Sequence, residues 1–404
     1  MKRRLFLPTL ALVLAACTAR PATAVPSPTD ATPTPVVSIT DAPRTTATIT
    51  PIPPALPAVN SPALIHIDFQ DVNNGWGIAV NDNGDILRTV DGGTTWLNAT
   101  PPGLGSIGSS TSLFVLNVNT VWILVPGNDF FTASLYRTRD GGATWNSNPV
   151  PFGDAHLQFL DASTGRALAD RGAGSGSQTV ELYQTSDRGV TWVSVFHNDA
   201  SQPGSSDSLP LSGIKNGMTF LDANIGWVTG SIAVDGDVYL FVTHDGGISW
   251  TQPSLSLPAG YETYRYIPQA PIFFGQDGYL PLILYEPGMT ALTFYVTQDG
   301  GATWTGDPTD ANKVIVPGRF AFADVLHAWS WDGGPMLYST SDGTQTWNAL
   351  PIGPDLSGKL HQVEFVPTGS NAFVGWALTI VDEINHSQLY KTTDNGATWT
   401  PVIP

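Results

Sequence analysis

The chain has 404 residues and a formal net charge of −17; a surface this acidic repels phosphate groups, which argues against nucleic acid and anionic membrane surfaces as partners. Only 13% of the residues are charged, whereas glycine (41), proline (33) and tryptophan (13) are abundant, a composition typical of many short strands joined by tight turns. A single cysteine, Cys17, excludes an intrachain disulfide framework and a metal site built from cysteines.

Residues 1–16 have the pattern of a secretory signal peptide, in which three basic residues precede an apolar run too short for a lasting transmembrane helix. The run ends in LAAC, which resembles the lipobox of bacterial lipoproteins and implies cleavage before Cys17 and acylation of that residue. The alternative is an ordinary secretory leader followed by a chance cysteine. The lipobox predicts an extracytoplasmic protein that is anchored by lipid to a bacterial cell membrane. Each methylene of the acyl chain that is buried in the membrane contributes about 0.8 kcal/mol to this anchoring.

Residues 17–60 comprise the cysteine and a tether. Ten prolines, ten threonines and eight alanines make up 28 of the 43 residues from 18 to 60, and none of the 43 is aromatic. Such a segment cannot bury enough apolar surface to offset its ordering entropy. We expect an extended, partly polyproline II tether with a reach on the order of 100 Å at about 3 Å per residue.

From residue 61 onward a short phrase, called a box below, occurs seven times. Its first and last aspartates, Asp91 and Asp394, are 303 residues apart over six intervals, and the resulting period of about 50 residues is typical of propellers. The boxes are TVDGGTTW (89–96), TRDGGATW (138–145), TSDRGVTW (185–192), THDGGISW (243–250), TQDGGATW (297–304), TSDGTQTW (340–347) and TTDNGATW (392–399).

Each unit predicts a four-stranded antiparallel meander. A strand pattern such as GDILRT precedes each box, and a second recurring phrase lies further upstream, as in HIDFQDVNNGWGIA (66–79). The order is strand, turn, strand, loop, strand, box turn, strand. Arg166 and Tyr279 replace the tryptophan of the upstream phrase in units three and five. Thr344 replaces a glycine of the sixth box, where we expect a distorted turn.

The composition of the box indicates a structural role. Asp91 can accept hydrogen bonds from its own turn, Gly93 can adopt a positive φ, Thr95 can start the outgoing strand and Trp96 can pack between neighbouring sheets. Seven copies in one kind of hairpin turn argue against catalysis, and we expect Trp96→Ala to cost about 3–5 kcal/mol. The predicted structural residues are Asp91, Trp96, Asp140, Trp145, Asp187, Trp192, Asp245, Trp250, Asp299, Trp304, Asp342, Trp347, Asp394 and Trp399.

The S/T-x-D-x-G-x-T-W phrase resembles the Asp-box, or bacterial neuraminidase repeat, of sialidases, xyloglucanases and sortilins. A lipoprotein leader followed by seven such units is most similar to the photosystem II assembly and stability factor family. The first resemblance implies a propeller, and the second implies an assembly or scaffold role at a membrane complex. That family binds its client through an arginine-rich patch, whereas residues 61–390 contain only 11 arginines and lysines. The identity of the client therefore stays open.

Seven meanders arranged radially predict an all-β fold, a seven-bladed β-propeller over residues 61–404. The first unit begins with an inner strand at 64–69 and the last ends with an outer strand at 398–402. On this interpretation no strand is exchanged to close the ring, although part of 56–61 could add to the last blade.

The box turns lie on one face of the predicted ring, and the connections between second and third strands and between blades lie on the other. The long insertions fall on this second face, at 124–134, 169–180, 196–216 and 251–270. Loops held by a rigid scaffold commonly carry function, although their aromatic residues can equally serve to cap the blade ends. The best candidates for a ligand-binding rim are Phe130, Phe131, Tyr261, Tyr264 and Tyr266.

Hydrolase chemistry is the other possibility. A sialidase requires an arginine cluster, and here only Arg319 begins a predicted inner strand. The YRYIP stretch at 264–268 has one residue more than the sialidase phrase and follows the fourth box. A glycosidase requires two carboxylates about 5–9 Å apart. Asp68 and Glu364 occupy equivalent inner-strand positions in blades one and seven, which become neighbours when the ring closes; the alternative is that both are solvated channel side chains.

The sequence therefore favours a non-catalytic, membrane-anchored module that binds a protein partner and is itself a monomer. A carbohydrate-binding or glycoside hydrolase propeller is the alternative. No cofactor or metal is expected, because the seven histidines show no metal-ligand spacing.

Overall fold

The computed structural model describes residues 55–80, 84–104, 107, 111–129, 131–257, 260–287, 289–306, 318–380 and 387–402. The leader, Cys17, the tether up to residue 54 and Phe130 lie outside these residues. Every regular element in the described ranges is a β-strand, and the strands form seven antiparallel sheets. The predicted all-β, seven-bladed propeller is confirmed. The same residues contain no helix long and apolar enough to cross a membrane.

The blades follow one another in chain order. Blade one contains β1 (Ala58–Val59), β2 (Leu64–Phe69), β3 (Gly75–Ala79), β4 (Asp85–Thr89) and β5 (Trp96–Asn98). Blade two contains β6 (Ser112–Asn117), β7 (Thr120–Pro126), β8 (Ala133–Thr138) and β9 (Asn146–Val150). Blade three contains β10 (Ala155–Phe159), β11 (Gly165–Gly174), β12 (Ser177–Thr185) and β13 (Val193–His197). Blade four contains β14 (Ile214–Phe220), β15 (Gly226–Ser231) and β16 (Leu240–Thr243).

The remaining three blades follow the same meander. Blade five contains β17 (Arg265–Pro268), β18 (Ile272–Phe274), β19 (Asp277–Glu286) and β20 (Met289–Thr297). Blade six contains β21 (Arg319–Phe322), β22 (Ala328–Trp331), β23 (Met336–Thr340) and β24 (Asn348–Pro351). Blade seven contains β25 (Leu360–Gly369), β26 (Ala372–Ile380), β27 (Ser387–Thr392) and β28 (Thr400–Pro401).

Blades four and five depart from four regular strands. The outer strand of blade four is reduced to a bridge between Val242 and Thr251, and that of blade five to a bridge between Val296 and Thr305. Pro253 follows Thr251 closely and has no N–H with which to extend the ladder. The inner strand of blade five is divided into β17 and β18, and Pro271 lies in the gap between them.

The ring closes without an exchanged strand, as predicted. The residues before the first inner strand, however, do not follow the expectation that they could add to the last blade. β1 pairs with β5, so that Ala58 lies opposite Leu97 and Val59 opposite Trp96. This short strand is therefore a fifth, outermost strand of blade one and does not add to the last blade. The propeller accordingly starts before the predicted boundary at residue 61. The outer edge of β5 is free to accept it because the ladder of blade one would otherwise end there.

Adjacent blades are joined by a repeated aromatic contact. A phenylalanine of an inner strand packs on the aromatic ring that the second strand of the preceding blade presents. Phe69 of blade one stacks on Trp376 of blade seven with ring centroids 3.7 Å apart and planes 5° apart. The same contact recurs in the pairs Phe159–Trp122, Phe365–Trp329, Phe273–Trp227 and Phe322–Tyr279. These rings fill the space between neighbouring sheets, where apolar burial contributes most.

The box tryptophans contribute to the same interfaces but are less buried than predicted. Trp145 lies edge-on to Trp76 of the preceding blade at 6.3 Å. Trp96 and Trp250 are buried, whereas the other five box tryptophans are only partly buried. The fully buried tryptophans belong mainly to the second strands, because these strands lie in the middle of each sheet and are covered on both faces. They are Trp76, Trp122, Trp227, Trp329 and Trp376, with Trp96 as the one box member.

Each box aspartate organises its own turn. In the first box one oxygen of Asp91 accepts hydrogen bonds from the Thr89 hydroxyl and the Thr95 N–H, both at 2.9 Å. The other oxygen accepts one from the Thr95 hydroxyl at 2.7 Å. Gly93 has a φ of 91°, as predicted. In the sixth box Thr344 adopts a φ of 72° and still donates its N–H to the Thr340 hydroxyl, at 3.2 Å, so that this turn is strained but retained.

The boxes also fasten one blade to the next. The indole N–H of Trp376 donates to the carbonyl of Gly92 in the box of blade one, at 2.9 Å. Trp122 and Trp329 make the equivalent bonds to Arg188 and Asn395 in the boxes of blades three and seven. The turn carbonyls therefore satisfy the indole donors of these three tryptophans, whereas the buried indole N–H groups of Trp76 and Trp227 have no hydrogen-bond partner among the described residues.

The two residues that replace a second-strand tryptophan keep its position. Arg166 lies 5.1 Å over the ring of Phe220 and donates to the Ala223 carbonyl at 2.8 Å. Tyr279 stacks on Phe322 and donates its hydroxyl to the Val325 carbonyl. Both therefore combine an apolar or planar contact with a donor to the next blade, as the tryptophan does.

Candidate functional site

The face opposite the box turns, called the loop face below, carries the long insertions. The 169–180 insertion extends the β11–β12 hairpin to a tight turn at Ser175 and Gly176, where φ is 52° and 76°. The 124–134 insertion joins β7 to β8, and the other two join blade three to four and blade four to five. The loop face is therefore most elaborate over blades two to five.

The predicted aromatic rim is only partly present. Phe131 is 55% exposed at the β7–β8 connection, and Phe130 lies outside the described residues. Tyr261 and Tyr264 are half-buried and contact each other edge-on at 5.0 Å. Tyr266 is not a rim residue: it is fully buried, and its hydroxyl donates to the Tyr261 carbonyl at 2.7 Å. Its strand β17 is an inner strand, which directs this side chain into the packing between blades four and five.

The two candidate carboxylates lie at the seam between blades one and seven. Glu364 on β25 accepts a hydrogen bond from the backbone N–H of Phe69 on β2, at 2.9 Å. Its other oxygen accepts one from the Gln362 amide at 2.7 Å. Asp68 accepts a hydrogen bond from the Gln70 amide at 2.5 Å. The sequence was right that the ring brings these strands together. One oxygen of Glu364 joins the two blades, and the other bonds to Gln362 on the same strand.

Both carboxyl groups have a raised pKa. Loss of hydration raises the pKa of Asp68 to about 6, against the opposing effect of the Gln70 hydrogen bond. Loss of hydration and the negative charge of Asp68 raise the pKa of Glu364 well above its usual range. Glu364 therefore keeps its proton to a higher pH than an exposed glutamate does.

An uncharged carboxyl at this position resembles the amide found in blade three. Gln158 also precedes the stacking phenylalanine of its inner strand. It accepts the Phe220 N–H at 2.6 Å and donates to the Phe220 carbonyl at 2.9 Å, which joins blade three to blade four. Gln362 does the same to Ile67 across the seam, at 3.1 and 2.7 Å. Glu364 makes one of these two bonds, because it accepts the Phe69 N–H across the seam, and a protonated carboxyl has a donor as the amide does.

A cavity of about 620 Å³ opens where the inner strands of blades five, six, seven and one begin. It is called the channel-mouth cavity below. Its polar lining consists of His66, Gln269, Arg319, His361, Gln362 and Glu364, and Trp331 contributes an apolar wall. The spacing of these residues along the chain gives no local sign of the cavity, since the ring brings His66 and His361 together from opposite ends of the propeller.

The charge in this cavity comes from Arg319, the first residue of β21. Its guanidinium donates to the backbone carbonyl of His361. Loss of hydration and the nearby His361 lower the pKa of His66. Loss of hydration and the positive charge of Arg319 lower the pKa of His361. Both imidazoles are therefore neutral at neutral pH, and the cavity offers hydrogen-bond donors and acceptors beside one fixed positive charge.

A second cavity of about 340 Å³ lies on the loop face between blades two and three, beside Phe131. Arg171 and Glu181 form an ion pair of 2.9 Å in its wall, and Arg171 also donates to the Pro151 carbonyl at 2.7 Å. These polar groups are thus already paired within the protein. Across the described residues no group of three or more histidine, cysteine, aspartate or glutamate side chains could hold a metal ion.

Sequence comparisons show three relatives, while no protein-family model matches the chain. Photosystem II stability/assembly factor HCF136 of Arabidopsis thaliana is 23% identical over 333 residues, which cover 77% of this chain and 73% of that protein. Photosystem II assembly lipoprotein Ycf48 of Synechococcus sp. (strain CC9902) is 24% identical over 226 residues, 48% of this chain and 63% of that protein. A xyloglucanase of Paenibacillus sp. is 25% identical over 341 residues, but these cover only 29% of that enzyme.

Structural comparison gives a matching result for the fold. A structure of YCF48 bound to D1 peptide aligns with a TM-score of 0.52 at 17% identity, and the match covers 86% of this chain and 97% of the other. The chain resembles the photosystem II assembly factors. A PL25 ulvan lyase reaches a TM-score of 0.50 at 12% identity. At these identities the structural likeness establishes the propeller fold and leaves the ligand to be argued from the site.

Proposed function

We propose that this chain is a non-catalytic, protein-binding propeller that acts as an assembly or scaffold factor. In this proposal the channel-mouth cavity holds a segment of a client protein. The observation that carries it is the cavity itself, since about 620 Å³ falls within the range of about 300–1,000 Å³ typical of ligand sites. The resemblance to proteins described as photosystem II assembly factors supports the same function.

The lining suits a polypeptide. Neutral His66 and His361, together with the amide of Gln269, can both donate and accept hydrogen bonds, as the backbone of an extended segment requires. Arg319 adds a positive charge, which suits a carboxylate of the client, either a side chain or a chain terminus. Trp331 offers an apolar contact beside them.

A carbohydrate-active propeller is the alternative, favoured by the likeness to a xyloglucanase over 74% of the chain. The contacts of Glu364 argue against glycoside hydrolysis. A general acid must reach the glycosidic oxygen, whereas Glu364 already bonds to the Phe69 N–H and the Gln362 amide. Wild-type protein that cleaves any polysaccharide of a broad panel, with turnover lost in Glu364→Gln, would establish the alternative.

Site-specific photo-crosslinking tests the proposed function. The full chain would carry a photoreactive amino acid at Gln269 in the channel-mouth cavity, or at exposed Thr94 in the first box turn as a matched control. Both proteins would be mixed with detergent-solubilised membranes of the source organism, and the adducts identified by mass spectrometry. We expect one polypeptide to crosslink from Gln269 and not from Thr94. Equal crosslinking from both positions, or none from Gln269, would overturn the proposal.

We further propose that the protein is held at an extracytoplasmic membrane surface through acylated Cys17. The lipobox-like LAAC supports this placement. Wild-type protein should fractionate with membranes and yield an acylated N-terminal peptide by mass spectrometry, whereas Cys17→Ser should be released in soluble form. An unmodified Cys17 peptide from membrane-bound protein would refute the anchor.

A further inference from the structure

On the loop face over blades four and five, tyrosines and carboxylates form one continuous surface. It consists of Val234, Tyr261, Glu262, Tyr264, Tyr285 and Glu286, and is called the acidic tyrosine surface below. Val234 is 51% exposed and Tyr285 43% exposed, while Glu262 and Glu286 are exposed at the ends of their turns. None of these residues lines the channel-mouth cavity, so the surface is separate from the site proposed above.

Three segments that are distant in sequence are tied together to make this surface. The N–H of Gly236, in the β15–β16 connection, donates to the Tyr264 carbonyl at 2.9 Å. The Tyr264 side chain lies beside Glu286 at the end of β19, and Arg265 lies opposite Tyr285 in the β17–β19 ladder. The tyrosines are therefore presented by a braced surface and lose little conformational entropy when a partner binds.

The turn that carries Glu262 is also closed by its own hydrogen bonds. Its carboxylate accepts the N–H of Gly260 at 2.9 Å, and the Tyr264 N–H donates to the Tyr261 carbonyl at 3.0 Å. The hydrogen-bond partner of Glu262 is thus a neutral backbone group. The neighbouring Arg265 forms an exposed ion pair with Asp235 at 3.5 Å, so that this pair adds no net charge to the surface.

We propose that the acidic tyrosine surface binds a basic segment of a partner protein, in which arginine or lysine alternates with apolar residues. Glu262 and Glu286 would attract the cations, and exposed Tyr285, with the accessible parts of half-buried Tyr261 and Tyr264, would receive guanidinium groups and apolar side chains. The surface would repel an anionic segment, and so would the chain as a whole, whose net charge is −17. The inference concerns a contact beyond the channel mouth and does not depend on the function proposed there.

Fluorescence anisotropy with a defined probe tests this assignment. The probe is a short synthetic peptide in which arginine and tryptophan alternate, with a fluorophore at its N-terminus, and it is titrated with the full-length protein in detergent. A peptide with glutamate in place of arginine is the probe control. The test variant is Glu262→Gln with Glu286→Gln. The matched control is Asp207→Asn with Asp355→Asn, which removes the same charge from exposed carboxylates elsewhere on the loop face.

We expect the arginine peptide to bind, the glutamate peptide not to bind, and the Glu262/Glu286 variant to bind about five-fold more weakly, as the loss of two exposed charge pairs predicts. The control variant should stay close to wild type, and Tyr285→Ala should also weaken binding. Salt at 1 M, where the Debye length is about 3 Å, should remove most of the difference.

Three results would overturn the assignment. Equal weakening in the two double variants would show only general attraction to an acidic chain. Binding of the glutamate peptide would exclude charge recognition. Binding of xyloglucan oligosaccharides that is lost in Tyr285→Ala, with the arginine peptide unaffected, would make the surface a carbohydrate site. Measuring the crosslinking from Gln269 in the Glu262/Glu286 variant shows separately whether the function proposed for the channel-mouth cavity fails.

Discussion

Glu364→Gln is the substitution that most directly tests how the ring is closed. In the wild type the raised pKa of Glu364 means that the folded state holds a proton which the unfolded chain releases above its ordinary pKa near 4.5. The folded state then loses stability as the pH rises, by up to about 1.4 kcal/mol per unit, until Glu364 ionises in the fold. Glutamine carries no titrating proton and can form the bridge that Gln158 makes.

The expected magnitude follows from these contacts. A half-buried carboxyl is partly screened by solvent, so we expect the glutamine variant to be more stable than wild type by about 1–3 kcal/mol at pH 8, with little difference at pH 4.5. Such a gain raises the Tm by about 2–4 °C per kcal/mol. The comparison must be between the two proteins at each pH. The lowered pKa values of His66 and His361 make stability rise with pH near 6, which opposes the effect of Asp68 and Glu364 within one protein.

Urea unfolding at several pH values from 4.5 to 8 measures the difference. The reverse variant Gln158→Glu is a matched control: it places a carboxyl at the corresponding position between blades three and four and removes the donor to the Phe220 carbonyl. It should lose stability as the pH rises. A glutamine variant that is less stable than wild type at pH 8, or a difference that does not change with pH, would refute the assignment of Glu364 as a bridge with a raised pKa.

Three further predictions concern the scaffold, each measured as a free energy of unfolding in urea. Trp376→Ala should cost about 3–5 kcal/mol because a fully buried ring and its bond to Gly92 are lost; Trp347→Ala, which removes a partly buried box ring, should cost clearly less, and equal losses would contradict the order of burial. Asp91→Ala should cost about 1–3 kcal/mol because it leaves turn donors without their acceptor, whereas an unchanged midpoint would show that the box does not stabilise the turn. Deletion of 55–60 should destabilise the protein by exposing the outer edge of β5, and an unaffected midpoint would show that β1 contributes nothing.

Some features of the fold could be predicted because their signals are local and repeated. Seven boxes at regular spacing indicated seven blades, and the hydrogen bonds of Asp91 are all made within eight residues of sequence. The inner strand at 64–69 and the outer strand near the C-terminus were visible for the same reason. The pairing of Asp68 with Glu364 followed from the symmetry of the units once ring closure was assumed.

Other features depend on contacts between distant parts of the chain. Tyr266 looks like a loop aromatic in sequence, yet it is buried because β17 is divided from β18 and faces blade four. Val59 lies in a proline-rich stretch, and only the free edge of β5 gives it a partner. The bridging role of Gln158 and Gln362 was missed, since an amide on an inner strand has no local signature of the backbone it bonds.

The sequence by itself determined the number of blades, the turn chemistry of each box and the acidic character of the chain, because these depend on residue types at short spacing. Only the tertiary structure decided which aromatics are exposed, which carboxyl has the more strongly raised pKa and where the channel-mouth cavity lies. The physical reason is that burial and pKa depend on the neighbours that ring closure supplies, and Ile67 and Gln362, which meet at that seam, are 295 residues apart.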